Sequence, residues 1–339
     1  MRKLSITDVA KRAGVSTTTV SRVLNNVATV SADNRRRVLG TIRTLRYHPN
    51  PSAQRLAGGA VRRTTVGLIL PRFEDMFHSF YISELLKGIG AAAERLKLDV
   101  LLHVTSGDAP LEIVPVDGLL FADIDGNEDQ LDWVLDHKLP CVVMNHYLAE
   151  LPVSCVAVDN HTATIEVVQY LAGLGHREIA TITGHLRTPV GLERLEGYLE
   201  GMKTKGLPVK PYYVENGDYS ASSAWEPAKR LLSRRDRPTA IVAASDAMAI
   251  TTIDVATRMG LRVPEDVSVI GFDDSPLAAF ARVPLTSVWL PLSRIGELSV
   301  EIIHNALSGK SHHPVKRLLG ARLVERQSCR QTWLEQPSA

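Results

Sequence analysis

The 339-residue chain lacks any apolar run long enough to cross a membrane, because its longest runs, such as TVGLIL and VDGLLF, have the length of β-strands. No apolar segment follows Arg2 and Lys3, so we expect no secretion signal. Cysteine is scarce as well: Cys141, Cys155 and Cys329 are odd in number and do not show the spacing of metal ligands. We therefore expect a cytoplasmic protein with reduced structural thiols and no metal site.

The sequence motifs of common enzymes are also absent. The chain contains no G-x-S-x-G, no P-loop, no G-x-G-x-x-G and no H-E-x-x-H. His312 and His313 form an adjacent pair without other ligands, which favours a loop. Asp246, Asp273 and Asp274 leave a cation site open as an alternative, although turn and helix-cap roles are favoured. We expect neither an enzyme nor a bound cofactor.

Acidic residues are almost absent from the first 63 residues, which contain 13 Lys and Arg but only Asp8 and Asp33, a net charge of +11. The remaining residues contain 26 basic and 35 acidic side chains, a net charge of −9. A basic segment attached to an acidic body is typical of a nucleic-acid-binding arm. A charged face that is merely solvated would not explain this segregation.

The basic segment shows the pattern of three short helices, over residues 6–13, from Ser16 onward and over residues 32–45. Gly14 can adopt the left-handed conformation that ends the first helix, and Ser16 can cap the second. Two helices joined by such a tight turn form a helix-turn-helix. The side chains expected in the core are Ile6, Val9, Ala10, Val20, Val23, Leu24, Val38, Ile42 and Leu45.

The second helix, in STTTVSRVLN, presents short hydroxyl side chains and an arginine on its outer face. With its apolar residues buried, Thr17, Thr18 and Arg22 point away from the core. The start of a recognition helix enters the major groove, where a threonine methyl can touch thymine and Arg22 can bond to guanine O6 and N7. The alternative is a solvated three-helix domain without a nucleic-acid partner.

Residues 6–50, ITDVAKRAGVSTTTVSRVLNNVATVSADNRRRVLGTIRTLRYHPN, resemble the DNA-binding domain of the LacI/GalR family of bacterial transcription regulators. The next residues, PSAQRLAGG, resemble the hinge helix of that family, which folds only when two subunits lie on an operator. An eight-residue helix is too short to be stable alone, and an apolar wedge such as Leu56 kinks the duplex when it enters the minor groove. An ordinary linker role for Leu56 stays open as an alternative. The resemblance implies DNA contacts by Ser16, Thr17, Thr18, Thr19, Ser21, Arg22, Asn25, Tyr47, Asn50, Ala53, Leu56 and Ala57.

The resemblance further implies a repressor that binds a palindromic operator with a central C·G step as a homodimer. It implies a DNA-binding domain over 1–49, a hinge over 50–62 and an effector-binding and dimerisation domain over 63–339. No heptad repeat follows the last predicted strand, so we expect a dimer and not a tail-mediated tetramer. Such a protein would act in the cytoplasm, on the nucleoid.

From Thr65 onward, strand-sized apolar segments alternate with helical stretches. Such alternation predicts parallel sheets covered by helices, and about 270 residues are more than one core holds, so we expect two α/β lobes. The first lobe would comprise 63–158 and 290–320, and the second 159–289 and 321–339. The predicted helices include Ser83 to Leu96, Thr162 to Ala172 and Met248 to Met259, and KRLLGARLVER is predicted as the final strand.

This body, through LGHREIATITG, RLEGY, RPTAIVAASDAMAI and LRVPEDVSVIGFDD, resembles the two-lobed, periplasmic-binding-protein-like effector domain of the same family. The resemblance implies a small-molecule effector, expected to be a carbohydrate, in the cleft between the lobes. A helix-cap role for Asp246, a turn role for Asp273 and a core position for Trp289 stay open as alternatives. The implied effector-binding residues are Phe73, Phe77, Asn145, Arg194, Tyr219, Ser245, Asp246, Asp273 and Trp289.

Three features depart from the family pattern, and the first is the stretch PRFEDMFHSFYISELLKGI after the first strand, which is a few residues longer than usual. Between Thr105 and Asp117 only SGDAPLEIVPV remains, so we expect the crossover helix over 106–116 to be lost or replaced by an extended link. Ser245 stands where many members of the family have asparagine. A solute-binding protein of a transport system would share the body, but the basic segment and the missing secretion signal argue against it.

Overall fold

The chain divides into two compact units at Thr64–Thr65, and each unit is described by itself. Within the described residues, no helix is long and apolar enough to cross a membrane. The same residues contain no group of three or more His, Cys, Asp or Glu side chains placed to hold a metal ion. This computed structural model describes residues 6–24, 30–45, 63–70, 79–103, 116–311 and 313–332.

The N-terminal unit contains three helices, α1 (Ile6–Ala13), α2 (Thr17–Leu24) and α3 (Ala32–Leu45). Each helix contributes a fully buried valine, Val9, Val20 or Val38, to one small core. Gly14 has a φ of +64°, and the Val15 amide donates to the Ala10 carbonyl at 3.1 Å, which closes α1 with a left-handed turn. The predicted helix-turn-helix is confirmed.

A six-stranded sheet forms the first lobe, with the strand order β11-β5-β4-β3-β1-β2. All its strand pairs are parallel. The central strands Thr65–Ile69 and Gly118–Phe121 are buried because helices cover both sides of the sheet, whereas the edge strands Asp99–His103 and Lys316–Leu319 are partly exposed. The strands are β1 (Thr65–Ile69), β2 (Asp99–His103), β3 (Gly118–Phe121), β4 (Cys141–Met144), β5 (Ser154–Val158) and β11 (Lys316–Leu319).

A second six-stranded sheet forms the second lobe, with the order β12-β10-β9-β8-β6-β7. Its strands pair in parallel, except that β12 runs antiparallel to β10. The fold class predicted from the sequence, an all-α head and a two-lobed α/β body, is confirmed. The strands are β6 (Ile179–Thr183), β7 (Val214–Asn216), β8 (Ala240–Ala243), β9 (Ser268–Asp273), β10 (Thr286–Trp289) and β12 (Arg322–Val324).

Helices flank both sheets, and the chain passes between the lobes after Val158, after Trp289 and after Leu319. Lobe 1 carries α4 (Phe80–Leu96), α5 (Glu128–Asp136) and α11 (Leu292–Leu307). Lobe 2 carries α6 (Asn160–Gly173), α7 (Pro189–Thr204), α8 (Trp225–Leu232), α9 (Asp246–Arg258) and α10 (Pro276–Phe280), together with two 3₁₀ turns, Pro211–Tyr213 and Ser222–Ala224.

The prediction of one final strand over KRLLGARLVER is wrong. Lys316–Leu319 adds to the edge of lobe 1 beside β5, whereas Arg322–Val324 pairs with β10 in lobe 2. Gly320 and Ala321 lie between the two strands, so this stretch is the third passage between the lobes. The predicted loss of the crossover helix over 106–116 concerns a stretch of which residues 106–115 lie outside the described residues.

Candidate functional site

The outer face of α2 carries side chains predicted to contact DNA. Thr17, Thr18 and Arg22 are exposed. The Ser16 hydroxyl accepts a hydrogen bond from the Thr19 amide at 3.1 Å and so caps the start of the helix, and it lies 2.9 Å from the Thr19 hydroxyl. Ser21 is half-buried. The remaining predicted contacts, Asn25, Tyr47, Asn50, Ala53, Leu56 and Ala57, lie outside the described residues.

Polar side chains from both lobes gather at the carboxyl ends of the parallel strands, where α/β folds bind ligands. Asp123 follows β3 in lobe 1 and accepts a hydrogen bond from Asn145 Nδ2, which follows β4, at 3.2 Å. Burial raises the pKa of Tyr219 in lobe 2, and the negative charges of Asp123 and Asp273 add to the rise. The two lobes therefore present these groups to the same cleft.

Arg194 is a buried cation of the cleft, 8% exposed, and most of its guanidinium is engaged by the protein itself. Its Nη1 donates to the Ala244 carbonyl at 2.5 Å, and its Nε donates to Asn160 Oδ1 at 3.0 Å. The guanidinium also lies 4.3 Å from the centre of the Phe272 ring. Asn160 begins α6 just after the chain passes from lobe 1 to lobe 2. The hydrogen bond to Asn160 therefore connects the buried Arg194 of the cleft with this interlobe segment.

Ser245 and Asp246 stand at the start of α9, and both side chains have partners inside the protein. The Ser245 hydroxyl accepts from the Met248 amide at 3.2 Å, so Ser245 is the cap of the helix, and it donates to the Tyr219 carbonyl at 2.8 Å. The alternative that Asp246 caps this helix is therefore wrong. Its carboxylate accepts from the Ser275 amide at 2.6 Å and from the Ser287 hydroxyl at 2.5 Å.

Asp273 ends β9 with a φ of 108°, in the left-handed region that side chains other than glycine rarely adopt. Burial raises the pKa of its carboxyl to about 8, the charge of Asp246 adds to the rise, and Arg194 opposes it. The pKa of Asp246 is raised to about 6, again chiefly by burial. The cleft thus holds two neighbouring carboxyl groups that resist simultaneous ionisation.

Two aromatic residues lie at the same edge of lobe 2. The Tyr219 hydroxyl is 3.2 Å from the Thr188 hydroxyl, and its ring lies against Gly184, where a Cβ would be 2.1 Å from Cζ of Tyr219. Trp289 is only half-buried at the end of β10, with the Arg322 guanidinium 4.7 Å from its ring centre. A full core position for Trp289 is therefore wrong. Phe73 and Phe77 lie outside the described residues.

Comparisons with known proteins agree with this architecture. The profile of bacterial regulatory proteins of the lacI family matches residues 5–50, and that of a periplasmic binding protein-like domain matches 168–329. Catabolite control protein A of Priestia megaterium is 33% identical over 309 residues, which are 88% of this chain and 91% of the relative. The transcriptional repressor CytR of Escherichia coli K12 is 32% identical over 95% of each chain.

The chain belongs to the LacI family. Among solved structures, a complex of the regulator CelR with cellobiose has a TM-score of 0.72 at 31% identity and covers 96% of this chain and 99% of its own. The Lac repressor dimer bound to operator and the anti-inducer ONPF has a TM-score of 0.73 at 27% identity, with 97% and 100% covered. Like these relatives, this LacI-family protein is a DNA-binding transcriptional regulator and not an enzyme.

Three further polar residues of this LacI-family cleft, Asp123, His146 and Glu193, were not predicted from the sequence. His146 is 7% exposed, and its Nδ1 lies 3.4 Å from Asp123 Oδ1 without a hydrogen-bond partner among the described residues. Glu193 Oε2 accepts from Asn160 Nδ2 at 3.1 Å, and burial raises the pKa of Glu193. Two of the three follow strands by two residues, which is the signal that could have identified them.

A separate surface hollow of about 820 Å³ lies on lobe 2 of the LacI-family protein. Trp225, Ile250 and Ala281 are part of its lining, which includes none of the predicted effector-binding residues. The adjoining α10 exposes two large apolar side chains, Leu277 at 65% and Phe280 at 87%. This hollow is therefore a different surface from the cleft.

Proposed function

We propose that this regulator is a repressor that binds a palindromic operator as a homodimer, and that a small carbohydrate in the cleft controls its affinity for DNA. The observation that carries the proposal is a cleft whose hydrogen-bonding groups come from both lobes, in a chain that also exposes a recognition helix. A ligand held by both lobes favours one relative orientation of the lobes, and such a differential interaction is what allosteric control requires.

The DNA contacts are assigned to the exposed face of α2. Thr17 and Thr18 would lie close to the backbone and to thymine methyl groups, and Arg22 would read a guanine. The predicted wedge Leu56 and its copy from the second subunit would kink the operator at a central C·G step. Ser16 and Thr19 support the start of the helix, and the predicted contacts Ser21, Asn25, Tyr47, Asn50, Ala53 and Ala57 complete the surface.

The effector contacts are assigned to side chains that still have free hydrogen-bonding capacity or an accessible ring. Asn145 from lobe 1 and Arg194 and Asp273 from lobe 2 would bind sugar hydroxyls. Tyr219 and Trp289 would pack on the apolar face of the ring. The similarity to a regulator solved with cellobiose supports a carbohydrate. Ser245 and Asp246 are used inside the protein and would shape the cleft, while Phe73 and Phe77 remain predicted contacts.

The homodimer is assigned to the apolar surface of lobe 2. Phe280 and Leu277 are large apolar side chains exposed on the same short helix, and contiguous exposed apolar surface is typical of an interaction site. The hollow beside them is lined in part by Trp225 and Ile250. A twofold interface uses the same patch from both subunits. The exposed Phe280 ring of one subunit would therefore pack into the hollow of the other, and the reverse. The similar Lac repressor was solved as a dimer on its operator.

Control of DNA binding would pass through the hinge over 50–62. If the hinge behaves as the resemblance implies, two hinge segments would fold only when they meet, and a change in the angle between the lobes that separates them would release the operator. Because coupling between two ligands is reciprocal, operator DNA would weaken the binding of a releasing sugar by the same factor.

The test begins with selection of binding sites from random duplexes, followed by fluorescence anisotropy of the selected site with mono- and disaccharides and with purines. We expect palindromic sites, and at least one sugar that lowers the affinity about tenfold or more. The Asp273→Asn variant should bind the same site without responding to that sugar. Recovery of single, non-repeated half-sites, or a response to purines alone, would refute the proposal.

A further inference from the structure

The turn between α1 and α2 leaves two backbone carbonyls at its surface. The last turn of a helix has carbonyls without partners in the helix itself, and here the left-handed Gly14 brings the Val15 amide to one of them, the Ala10 carbonyl. The carbonyls of Ala13 and Gly14 need another donor. Ser16 and Thr17 follow at once, so whatever holds this turn also sets where the recognition helix begins.

Arg37 supplies that donor from α3. Its Nη2 lies 2.6 Å from the Ala13 carbonyl oxygen and 3.3 Å from that of Gly14. A positive charge at the carboxyl end of α1 is also favourable to the helix dipole. The next residue in the chain, Val38, is fully buried in the core of the head, so the backbone that carries Arg37 is fixed. Arg37 therefore links the turn to a rigid element.

We propose that Arg37 is a positioning residue for DNA recognition, which fastens the turn at Ala13 and Gly14 to α3 and thereby orients the outer face of α2. Arg37 is the last of three consecutive arginines in a strongly basic segment, so the simple expectation is a phosphate contact. Its guanidinium instead contacts the carbonyls of Ala13 and Gly14, and its Nη1 lies 3.9 Å from the Asp33 carboxylate on the same helix. Loss of Arg37 should then reduce discrimination between DNA sequences, whereas loss of a phosphate contact weakens binding to every sequence alike.

The experiment uses the full-length protein, a selected specific duplex and a scrambled duplex, with dissociation constants measured over a series of salt concentrations. Arg37→Gln should raise the dissociation constant for the specific duplex about tenfold, which is the size expected for a lost bond to a charged donor, and leave the scrambled duplex unchanged. The slope of log affinity against log salt should stay as in the wild type. Arg36→Gln, the same change at the exposed neighbour, should alter both duplexes by one common factor.

The conservative variant Arg37→Lys keeps the charge but replaces the planar guanidinium, whose Nη2 contacts both carbonyls, by an ammonium on a differently shaped side chain, so it should restore part of the discrimination. If Arg37→Gln does not fold, Arg37→Lys tests the proposal. Its discrimination between the specific and the scrambled duplex should still be several-fold lower than that of the wild type, although the charge is unchanged. A fall of about 0.9 in the salt slope together with equal losses on both duplexes would identify a phosphate contact and overturn the proposal. Wild-type discrimination in both variants would overturn it as well.

Discussion

At the scale of single residues, Asp273 combines a rare backbone conformation with a buried carboxyl group. Its neighbour Asp246 already accepts two hydrogen bonds, from the Ser275 amide and the Ser287 hydroxyl, and so is the better stabilised anion of the two. Burial, with the nearby charge of Asp246, raises the pKa of Asp273 to about 8, against 3.8 for an ordinary aspartate, so Asp273 is the carboxyl group of the two that keeps its proton. A protonated carboxyl can donate a hydrogen bond as well as accept one, which suits a ligand hydroxyl.

This raised pKa predicts a pH dependence of stability. Between about pH 4 and pH 8 the folded protein binds more protons at Asp273 than the unfolded chain does, so the free energy of unfolding falls as the pH rises through that window. Asp273→Asn should flatten the fall, as measured by urea titrations from pH 5 to pH 8.5. Asp274→Asn, which breaks the 2.6 Å pair with Arg326, should lower stability but keep the wild-type slope because Asp273 is intact. Equal slopes for the wild type and Asp273→Asn would contradict this account.

The resemblance to the family, and not residue identity alone, led to the prediction of the cleft residues. Asn145 and Asp273 could be placed there because each stands at the carboxyl end of an apolar strand. The pairing of Asp123 with His146 could not be predicted, because it depends on β3 and β4 being neighbours in the sheet. The internal partners of Ser245 were also hidden, since the Tyr219 carbonyl that it bonds is 26 residues away in sequence.

At the scale of elements, α4 and α11 pack backbone to backbone through two glycines. A Cβ at Gly88 would lie 1.8 Å from the Ser293 carbonyl oxygen, and one at Gly296 would lie 2.4 Å from the Leu85 carbonyl oxygen. Neither obstacle is a flexible side chain that could move aside. The close approach of these helices in lobe 1 therefore requires glycine at both positions.

Gly88→Ala should accordingly destabilise lobe 1 by about 3 kcal/mol, because the helices must separate to admit the methyl group. Gly90 lies on the same helix with nothing within 4 Å of its Cβ position, so Gly90→Ala is a matched control. It should stabilise the protein by about 0.5–1 kcal/mol through its better helix propensity. Denaturant unfolding of both variants would show opposite signs, and a Gly88→Ala variant as stable as the wild type would exclude the close packing.

The sequence pattern predicted the existence of elements better than their ends. The helix predicted to start at Thr162 starts at Asn160, because the Asp159 side chain accepts from the Thr162 amide and caps it earlier. The helix predicted to start at Met248 likewise follows the Ser245 cap. Strand order could not be predicted, since the placement of β11 and β12 in different sheets depends on contacts distant in sequence.

At the scale of the whole molecule, the chain combines a basic segment that binds DNA with a cleft that is proposed to bind an effector. The basic segment supplies affinity for any duplex, which is sequence-independent and sensitive to salt. Selectivity needs two recognition helices at a fixed spacing, and a fixed spacing needs a dimer. On the proposed function, the interface on lobe 2 is therefore as necessary for repression as the recognition helix.

Phe280→Glu tests this dependence, because it places a charge on the surface proposed to be buried between two subunits, where an unpaired carboxylate is costly. The variant should sediment as a monomer at concentrations where the wild type is a dimer, and its affinity for a palindromic duplex should fall about a hundredfold or more as the benefit of joining two heads is lost. Val209→Glu introduces the same charge at another exposed apolar residue of lobe 2 and should leave both properties unchanged. A Phe280→Glu protein that remains dimeric and binds the palindrome with wild-type affinity would show that the dimer interface does not include Phe280.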